Sequence, residues 1–274
     1  MLGAIAMATI ARGADPSSGL VRIVVAYPPG GVSDAIARAL AERAAKHLGA
    51  QVIVENRGGA GGIVALESLK YARPDGRTLV FSAISPLTFA PLLGLTGFDP
   101  DSDVTPVMSV MVTPVLVVGT PAMTGDTLAA AIAVAGTHPG RVRWATSGVG
   151  TTGHRVLDRV RAASAVDITH VPYKGGGTQL ADALAGEFEV LSSNVGELQL
   201  RYVREGRLKA LAVGAPVRLD VLPNVPTLAE AGFPDANLAS TFGLFAPGRT
   251  PPQTISRLNR AFNAALRDPS IQRR

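Results

Sequence analysis

The sequence predicts an α/β protein, because short strand-like segments rich in Val and Ile alternate with amphipathic helical segments in two consecutive runs. Each run has the β-α-β order that is typical of a right-handed parallel sheet covered by helices. The chain has 274 residues, and at about 150 residues per domain this corresponds to one large or two small domains. A hydrophobic content of 47% excludes a disordered chain, which needs low hydrophobicity and high net charge.

The first run opens with a nearly continuous apolar segment, which is typical of a buried parallel strand. Spacing of apolar residues by four then indicates a helix, and a glycine just past its end favours a left-handed terminus. In order, the run predicts a strand over Leu20–Tyr27, a helix N-capped by Ser33 or Asp34 and ended by Gly49, a strand over Gln51–Glu55, a helix over Ile63–Ala72 and a strand over Thr78–Ser82.

The rest of the chain contains the second run, which begins at Arg141. A capping box at Thr227–Glu230 predicts a short helix there. The remaining predicted elements are strands at Val115–Val118, Val142–Thr146, Ile168–Tyr173, Glu189–Leu191 and Leu208–Val213, and helices at Thr127–Ala135, Thr152–Ala163, Thr178–Ala185, Val195–Glu205 and from Thr250-Pro251-Pro252 to Asp268-Pro269.

Each run contains a glycine-rich loop between a strand end and a helix start, at Tyr27–Asp34 (YPPGGVSD) and Ser147–His154 (SGVGTTGH). Glycine lets a ligand approach the main chain. The first N–H groups of a helix lack internal partners and lie at the positive end of its dipole. Two such loops, with their hydroxyl side chains, predict a site for a carboxylate or phosphate that needs no cationic side chain. Ordinary strand–helix turns with capping residues are the alternative interpretation.

Cofactor and metal chemistry are not expected. The chain has no cysteine, and its histidines are scattered without metal-ligand spacing. Gly148, Gly150 and Gly153 match a dinucleotide-binding spacing, but the nearby acid Asp167 lies at the wrong end of the next strand. Ser147 lacks the preceding glycine of a hydrolase nucleophile elbow. We therefore expect no cofactor, no metal and no catalytic residue.

A net charge of +5, from 26 basic and 21 acidic residues, raises the question of a nucleic-acid partner. Aromatic residues make up only 5% of the chain and the arginines are dispersed, whereas nucleic-acid surfaces cluster basic residues with aromatic ones. We therefore expect no nucleic-acid binding.

The N-terminal segment 1–14 consists of small and apolar residues and is similar to the hydrophobic and cleavage regions of a secretory signal. It lacks the basic start of such a signal, which suggests a truncated one. At ten residues its apolar stretch (MLGAIAMATI) is too short to cross about 30 Å of hydrocarbon. No other apolar run approaches about 18 residues, so no stable membrane insertion is expected.

Several motifs, in one order, resemble a known family. They are Val25–Asp34 (VAYPPGGVSD), Val54–Gly62 (VENRGGAGG), Pro74–Leu79 (PDGRTL), Asp167–Gly175 (DITHVPYKG), Gly206–Val213 (GRLKALAV), Leu222–Gly232 (LPNVPTLAEAG) and Gly243–Pro251 (GLFAPGRTP). Together they resemble the Bug-type extracytoplasmic solute receptors of tripartite tricarboxylate transporters, from about residue 20 to the end. The family usually continues some tens of residues beyond the position of Arg274.

The resemblance implies a two-domain periplasmic binding protein of type II, which closes like a Venus flytrap, each domain being a mostly parallel sheet flanked by helices. It implies domain 1 over 20–118 plus 240–274 and domain 2 over 119–239. The cleft would be lined by both glycine-rich loops, by the segment Ser82–Ser85 and by Asn194. The segment Leu191–Asn194 (LSSN) departs from the family pattern. The expected ligand-binding residues are Tyr27, Gly30, Gly31, Ser33, Asp34, Ser82, Ser85, Ser147, Gly150, Thr151, Thr152, His154 and Asn194.

The implied function is capture of a small carboxylate in the periplasm by a monomeric, non-enzymatic receptor, which delivers it to membrane transporter subunits. An α/β enzyme acting on a small anionic substrate is the second hypothesis, and a receptor that signals without transport is the third. Backbone N–H groups bind any carboxylate, so the loops imply a ligand class, and side chains elsewhere in the cleft select its member.

Overall fold

A computed structural model describes residues 19–272, so the expected signal segment 1–14 lies outside the described residues. Over this range, no helix is both long and apolar enough to span a membrane.

The strands form one mixed sheet in the order β2-β1-β3-β9-β4-β7-β5-β6, with β8 pairing with β4 beside this path. Their bounds are β1 Val21–Val25, β2 Val52–Asn56, β3 Thr78–Ala83, β4 Val104–Gly119, β5 Arg143–Thr146, β6 Thr169–Pro172, β7 Val190–Asn194, β8 Lys209–Val213 and β9 Ala239–Pro247. Strands joined through helices pair in parallel, namely β1 with β2 and β3, and β5 with β6 and β7. Every pair that includes β4 or β9 is antiparallel.

The α-helices flank this sheet, and most follow the elements that the sequence predicts. They are α1 Val32–Leu48, α2 Ile63–Glu67, α3 Ser85–Thr88, α4 Leu128–Thr137, α5 Thr152–Ser164, α6 Gly176–Ala185, α7 Glu197–Arg204, α8 Pro252–Leu266 and α9 Pro269–Gln272. Gly49 ends α1 in the left-handed region (φ 61°), as predicted. The capping box also forms, with Thr227 and Glu230 each accepting the other's N–H, but its residues make a turn instead of the predicted helix.

Strand β4 joins two parts of the sheet. It pairs with β9 as far as Pro114, and from Val115 onward it pairs with β7 and β8. We call β1, β2, β3, β9 and the start of β4 the first half-sheet, and the end of β4 with β5–β8 the second half-sheet. Chain segments therefore pass between the half-sheets at Pro114 and at the start of β9.

Separate apolar cores hold the helices on each half-sheet. On the first, the Leu40 face of α1 packs with α8 residues such as Phe262, both of which have no exposed surface. On the second, the indole of Trp144 is fully buried and its Nε1 donates to Ser192 Oγ at 2.5 Å. Burial of each large side chain contributes about 1.5–3 kcal/mol. These cores fix the strand ends from which the loops of the site emerge.

Candidate functional site

A cavity of about 680 Å³ lies between the half-sheets, beyond the carboxyl ends of β1, β3, β5 and β7. Ligands bind at such strand ends in open α/β sheets. The lining residues are Tyr27, Pro28, Pro29, Gly30, Gly31, Val32, Ser33, Ala35, Ala83, Ser85, Ser147, Thr151, Thr152, Gly153, Thr178, Gln179, Leu180, Ala181, Ser192, Ser193, Asn194, Glu197, Leu198, Gln199, Ser240 and Phe242.

The first glycine-rich loop reaches the cavity from β1. Gly30 has φ +86°, which a residue with a Cβ rarely adopts, whereas Gly31 has an ordinary φ of −88° and open space where a Cβ would lie. Helix α1 begins at Val32, and its N-cap, Gly31, has no side chain to cap it. The predicted caps Ser33 and Asp34 therefore lie inside the helix. The first N–H groups of α1 therefore remain available at the cavity wall.

Asp34 braces this loop from behind and does not line the cavity. Its carboxylate accepts hydrogen bonds from Gly30 N–H at 3.1 Å, Arg38 Nε at 3.0 Å and Asn56 Nδ2 at 2.9 Å. Burial by itself would raise the pKa of Asp34, but these donors outweigh it and lower the pKa. The Gly30 N–H, which we expected to meet the ligand, is therefore already satisfied.

Tyr27 closes the floor of the cavity beside this loop. Its hydroxyl accepts from Ala83 N–H at 3.1 Å, and its ring packs edge-on against Phe242 at 6.0 Å between centroids. Burial raises the pKa of the phenol, so it stays neutral at physiological pH.

The second glycine-rich loop is largely satisfied by its own residues. Gly150 N–H donates to His154 Nδ1 at 3.2 Å, and Thr151 Oγ1 donates to Gly148 O at 2.7 Å while accepting from His154 N–H at 3.3 Å. Both groups, which we expected to meet the ligand, therefore have partners within the chain, and the Thr151 hydroxyl is the N-cap of α5. The first N–H groups of α5, at Thr152 and Gly153, remain at the cavity wall.

Two histidines pack behind this loop. The rings of His154 and His170 stack with centroids 4.3 Å apart, and His170 Nε2 lies 2.7 Å from Thr146 Oγ1. Burial lowers the pKa of His154, and burial together with the neighbouring His154 lowers the pKa of His170 to about 4. Both rings are therefore neutral near pH 7, and neither lines the cavity.

Residues from the first turns of α1, α5, α6 and α7 all line the cavity. Helices α1, α6 and α7 have the glycine N-caps Gly31, Gly175 and Gly196, and none of these helices has a side-chain cap hydrogen bond. Each helix N-terminus carries about half a positive charge. The cavity therefore offers uncapped backbone N–H donors and a positive potential on both walls, which suits a carboxylate.

The lining side chains themselves are mostly neutral. Among the residues described around the cavity, Glu197 is the charged one, and no Lys, Arg or His is present. Hydroxyl and amide groups provide directional contacts instead, and several have no partner in the hydrogen bonds of the described chain: Ser33, Ser85, Ser147, Thr152, Thr178, Asn194 and Ser240.

Glycines also form the contact between the half-sheets, along a line that we call the glycine seam: Gly61, Gly148, Gly175 and Gly196. A Cβ on Gly61 would lie 2.9 Å from Val149 O, and one on Gly148 would lie 3.1 Å from Gly61 Cα. A Cβ on Gly175 would collide with Pro28. The walls thus approach each other closely through nearly bare backbone.

Most of the expected site residues come together here. The residues that line the cavity are Tyr27, Gly30, Gly31, Ser33, Ser85, Ser147, Thr151, Thr152 and Asn194. The remaining four expected residues lie behind it: Asp34, Ser82, Gly150 and His154. Ser82 is completely buried next to the lining residue Ala83, and Gly150 faces Ala90. These residues support the loops from behind.

The sequence predicted α6 and α7 as helices but did not indicate that their first turns, or Ser240, line the cavity. For α6 a signal existed, because Gly175-Gly176-Gly177 repeats the strand–glycine–helix pattern of the other two loops. For α7 the signal was weaker, a single Gly196 before the helix. Ser240 lies on β9, a strand that the pattern did not predict.

Comparisons with known proteins agree with this architecture. The family model described as tripartite tricarboxylate transporter family receptor matches residues 36–274. Protein BugT of Bordetella pertussis is 34% identical over 253 residues, which cover 92% of this chain and 77% of that protein.

Solved structures give the same result. The periplasmic binding protein BugD is similar with a TM-score of 0.87 at 27% identity, over 93% of this chain and 85% of that one. MatC from Rhodopseudomonas palustris with bound malate has a TM-score of 0.85 at 30% identity, over 93% and 86%. Rpa4515 of R. palustris with adipate has a TM-score of 0.85 at 30% identity, over 92% and 84%. On these grounds the chain belongs to the receptor family of tripartite tricarboxylate transporters.

Proposed function

We propose that this protein captures a small carboxylate in its cavity, in the periplasm, and presents it unchanged to membrane subunits of a tripartite tricarboxylate transporter. The observation that carries the proposal is the pair of opposed walls formed by the N-termini of α1, α5, α6 and α7, without a cationic side chain among the described lining residues. Charge-assisted hydrogen bonds from uncapped N–H groups can hold a carboxylate in such a site.

The ligands of relatives support the same chemical class. Malate in MatC and adipate in Rpa4515 are both small dicarboxylates, and both proteins share this fold at high TM-score. A cavity of about 680 Å³ accommodates molecules of that size with some water.

The arrangement of polar groups favours binding over catalysis. In the described part of the chain, no lining hydroxyl hydrogen-bonds to a histidine or carboxylate that could act as a general base. His154 and His170 lie behind the second loop and are occupied by Gly150 and Thr146.

We further propose that the half-sheets correspond to two domains, which move apart to admit the ligand. The pairing of β4 places their first boundary after Pro114, four residues before the expected boundary at 118, and their second at the start of β9. The connection through β4 and β9 supports a hinge, because β4 changes its partners there, from β9 as far as Pro114 to β7 and β8 beyond it. Close approach along the glycine seam supports a closed state that traps the ligand.

A thermal-shift screen of the purified protein against mono-, di- and tricarboxylates tests the proposal. A ligand at 100 times its Kd should add about 2.7 kcal/mol of stability, or roughly 5–10 °C in Tm for a protein of this size. Mass spectrometry of the ligand recovered after incubation should find it unchanged. Chemical conversion would favour the enzyme hypothesis, and absence of any shift with every carboxylate would refute the receptor proposal.

A further inference from the structure

A second cavity of about 680 Å³ lies on the first half-sheet, at the amino ends of β1 and β3. It is therefore at the opposite end of these strands from the cavity between the half-sheets. The segment Pro74–Leu79, which has no part in the cavity between the half-sheets, contributes to this one. We call it the arginine cavity, and its polar lining residues are Arg73, Asp75, Arg77, Gln253, Thr254 and Arg257.

Close packing joins the two segments that carry Arg77 and Arg257. Gly76 has φ +79° in the turn before β3, and a Cβ on it would collide with the methyl group of Thr254 in the first turn of α8. Gly19 lies against the guanidinium group of Arg77, since a Cβ on Gly19 would be 2.8 Å from Arg77 Cζ. The turn that carries Arg77 is thus packed directly against the helix that carries Arg257.

The positive charge of the arginine cavity is only partly neutralised. Asp75 is the acidic residue among the described lining residues, and its carboxylate accepts from Arg77 N–H at 2.9 Å and lies 3.9 Å from Arg73 Nε. Within residues 19–272, the side chains of Arg77 and Arg257 have no hydrogen bond or ion pair. Three arginines and one aspartate leave a net charge of +2 on the lining.

An arginine at a protein surface often has only water as its partner. Elsewhere in this chain, however, arginines pair with carboxylates, as Arg143 does with Glu189 at 2.8 Å and Arg218 with Glu230 at 2.9 Å. Arg77 and Arg257 instead line one concave surface, where like charges repel each other. An anion between them would replace this repulsion by attraction.

The donors of the arginine cavity suit a phosphate group better than a carboxylate. A phosphate monoester carries about −1.5 to −2 charges near pH 7 and has three acceptor oxygens, which matches the net charge and the number of arginines. Guanidinium groups bind phosphate oxygens in pairs of parallel hydrogen bonds. Helix α8 adds the N–H groups of Gln253 and Thr254, because it has no side-chain cap hydrogen bond.

We propose that the arginine cavity binds a phosphate monoester, either soluble or on a lipid headgroup, and that Arg77 and Arg257 hold it. This site is independent of carboxylate capture, which uses the carboxyl ends of the same strands.

Two measurements at low salt, where exposed charges are least screened, distinguish the two sources of phosphate. Isothermal titration with inorganic phosphate and with glycerol phosphate measures binding of a soluble ligand. Co-sedimentation with vesicles of phosphatidylcholine, with and without phosphatidic acid, measures binding of a headgroup. We expect binding in at least one of these measurements. Arg77→Gln and Arg257→Gln should each weaken it about tenfold or more, because each removes a charge-assisted hydrogen bond, and the double variant about 100-fold or more.

Arg204→Gln is the matched control, because Arg204 is an exposed helix arginine on the second half-sheet, outside the arginine cavity, and it should leave phosphate binding unchanged. An equal loss in Arg204→Gln would show a general effect of net charge and would overturn the site. Parental phosphate binding in a double variant that circular dichroism shows to be folded would place the ligand elsewhere and overturn it too. Folded parent protein that binds neither the soluble phosphates nor the phosphatidic acid vesicles would overturn the proposal and leave carboxylate capture untouched.

Discussion

Closure of the cavity can be tested at Gly196, the N-cap of α7 on the second half-sheet. Its backbone is extended (φ −160°), so alanine fits there without backbone strain. An added Cβ would overlap the Cγ2 methyl of Val32 on the opposite wall and would lie 3.7 Å from Val32 Cβ. It would also lie 2.8 Å from Gln199 Oε1, the far end of a flexible side chain in α7 itself, which can rotate away. Since ordinary carbon contacts are about 3.5–4.0 Å, Gly196→Ala must displace one wall from the other.

The size of the effect follows from this overlap. Val32 is β-branched and lies in a helix, so its χ1 is stiff and rotation gives little relief. Overpacking of this kind costs about 1–3 kcal/mol. If the cost is confined to the closed, liganded state, affinity should fall about 5- to 150-fold. The Tm of the ligand-free protein should change little.

Isothermal titration with a ligand from the carboxylate screen measures this loss. Val32→Ala removes the overlapping methyl group, so the double variant Gly196→Ala/Val32→Ala should recover most of the affinity. A double-mutant cycle measures the coupling free energy between the two positions. Gly136→Ala in α4 is the control, since its Cβ would meet Val166 at an ordinary 3.7 Å. Unchanged affinity in Gly196→Ala, or failure of Val32→Ala to restore it, would refute closure through the glycine seam.

Two further predictions concern the supports behind the loops. Stability should fall as pH drops below about 6.5, because the unfolded chain then binds protons at His170 whereas burial and His154 hold its folded pKa at about 4; the part of the loss due to His170 should be complete near pH 4. Since the ring is only partly buried, we expect His170 to contribute a loss of about 1–2 kcal/mol in urea titrations. His170→Asn should reduce the loss to the part that comes from His154, whose pKa burial also lowers, whereas His47→Asn should retain all of it. A loss in His170→Asn as large as in the parent protein would contradict the prediction. Asp34→Ala should weaken ligand binding about 5- to 50-fold, because it releases Gly30 N–H and the side chain of Arg38. Titration calorimetry measures this loss. An affinity equal to that of the parent protein would exclude the proposal that Asp34 holds the loop in place.

The sequence was sufficient to predict the parallel strands and their helices. The segment Leu20–Tyr27 is a nearly continuous apolar run between Gly19 and Pro28, and Thr78–Ser82 has an apolar centre shortly after the Asp75-Gly76 turn, so their pattern identifies them. Strand β4 was predicted only at Val115–Val118, because Pro106 and Pro114 interrupt the rest. The first of these prolines adjoins a register irregularity in the pairing with β9, which accommodates it.

For the site, the sequence predicted which loops meet but not which of their donors are free. The glycines and the strand–helix pattern place both loops at one sheet edge, and this needs only topology. Whether Gly150 N–H is free depends on the rotamer of His154, and whether Gly30 N–H is free depends on Asp34 together with Arg38 and Asn56. Such choices are made by tertiary packing, which periodicity does not record.

The position of β9 has a consequence for how the chain is assembled. This strand inserts between β3 and β4, although more than a hundred residues separate it from either of them in the sequence. Until residue 247 has been synthesised, β3 and the start of β4 each lack a neighbour and keep an unpaired edge. The first half-sheet is therefore completed only after the second half-sheet has emerged, and a nascent chain stopped before β9 would expose two strand edges to aggregation.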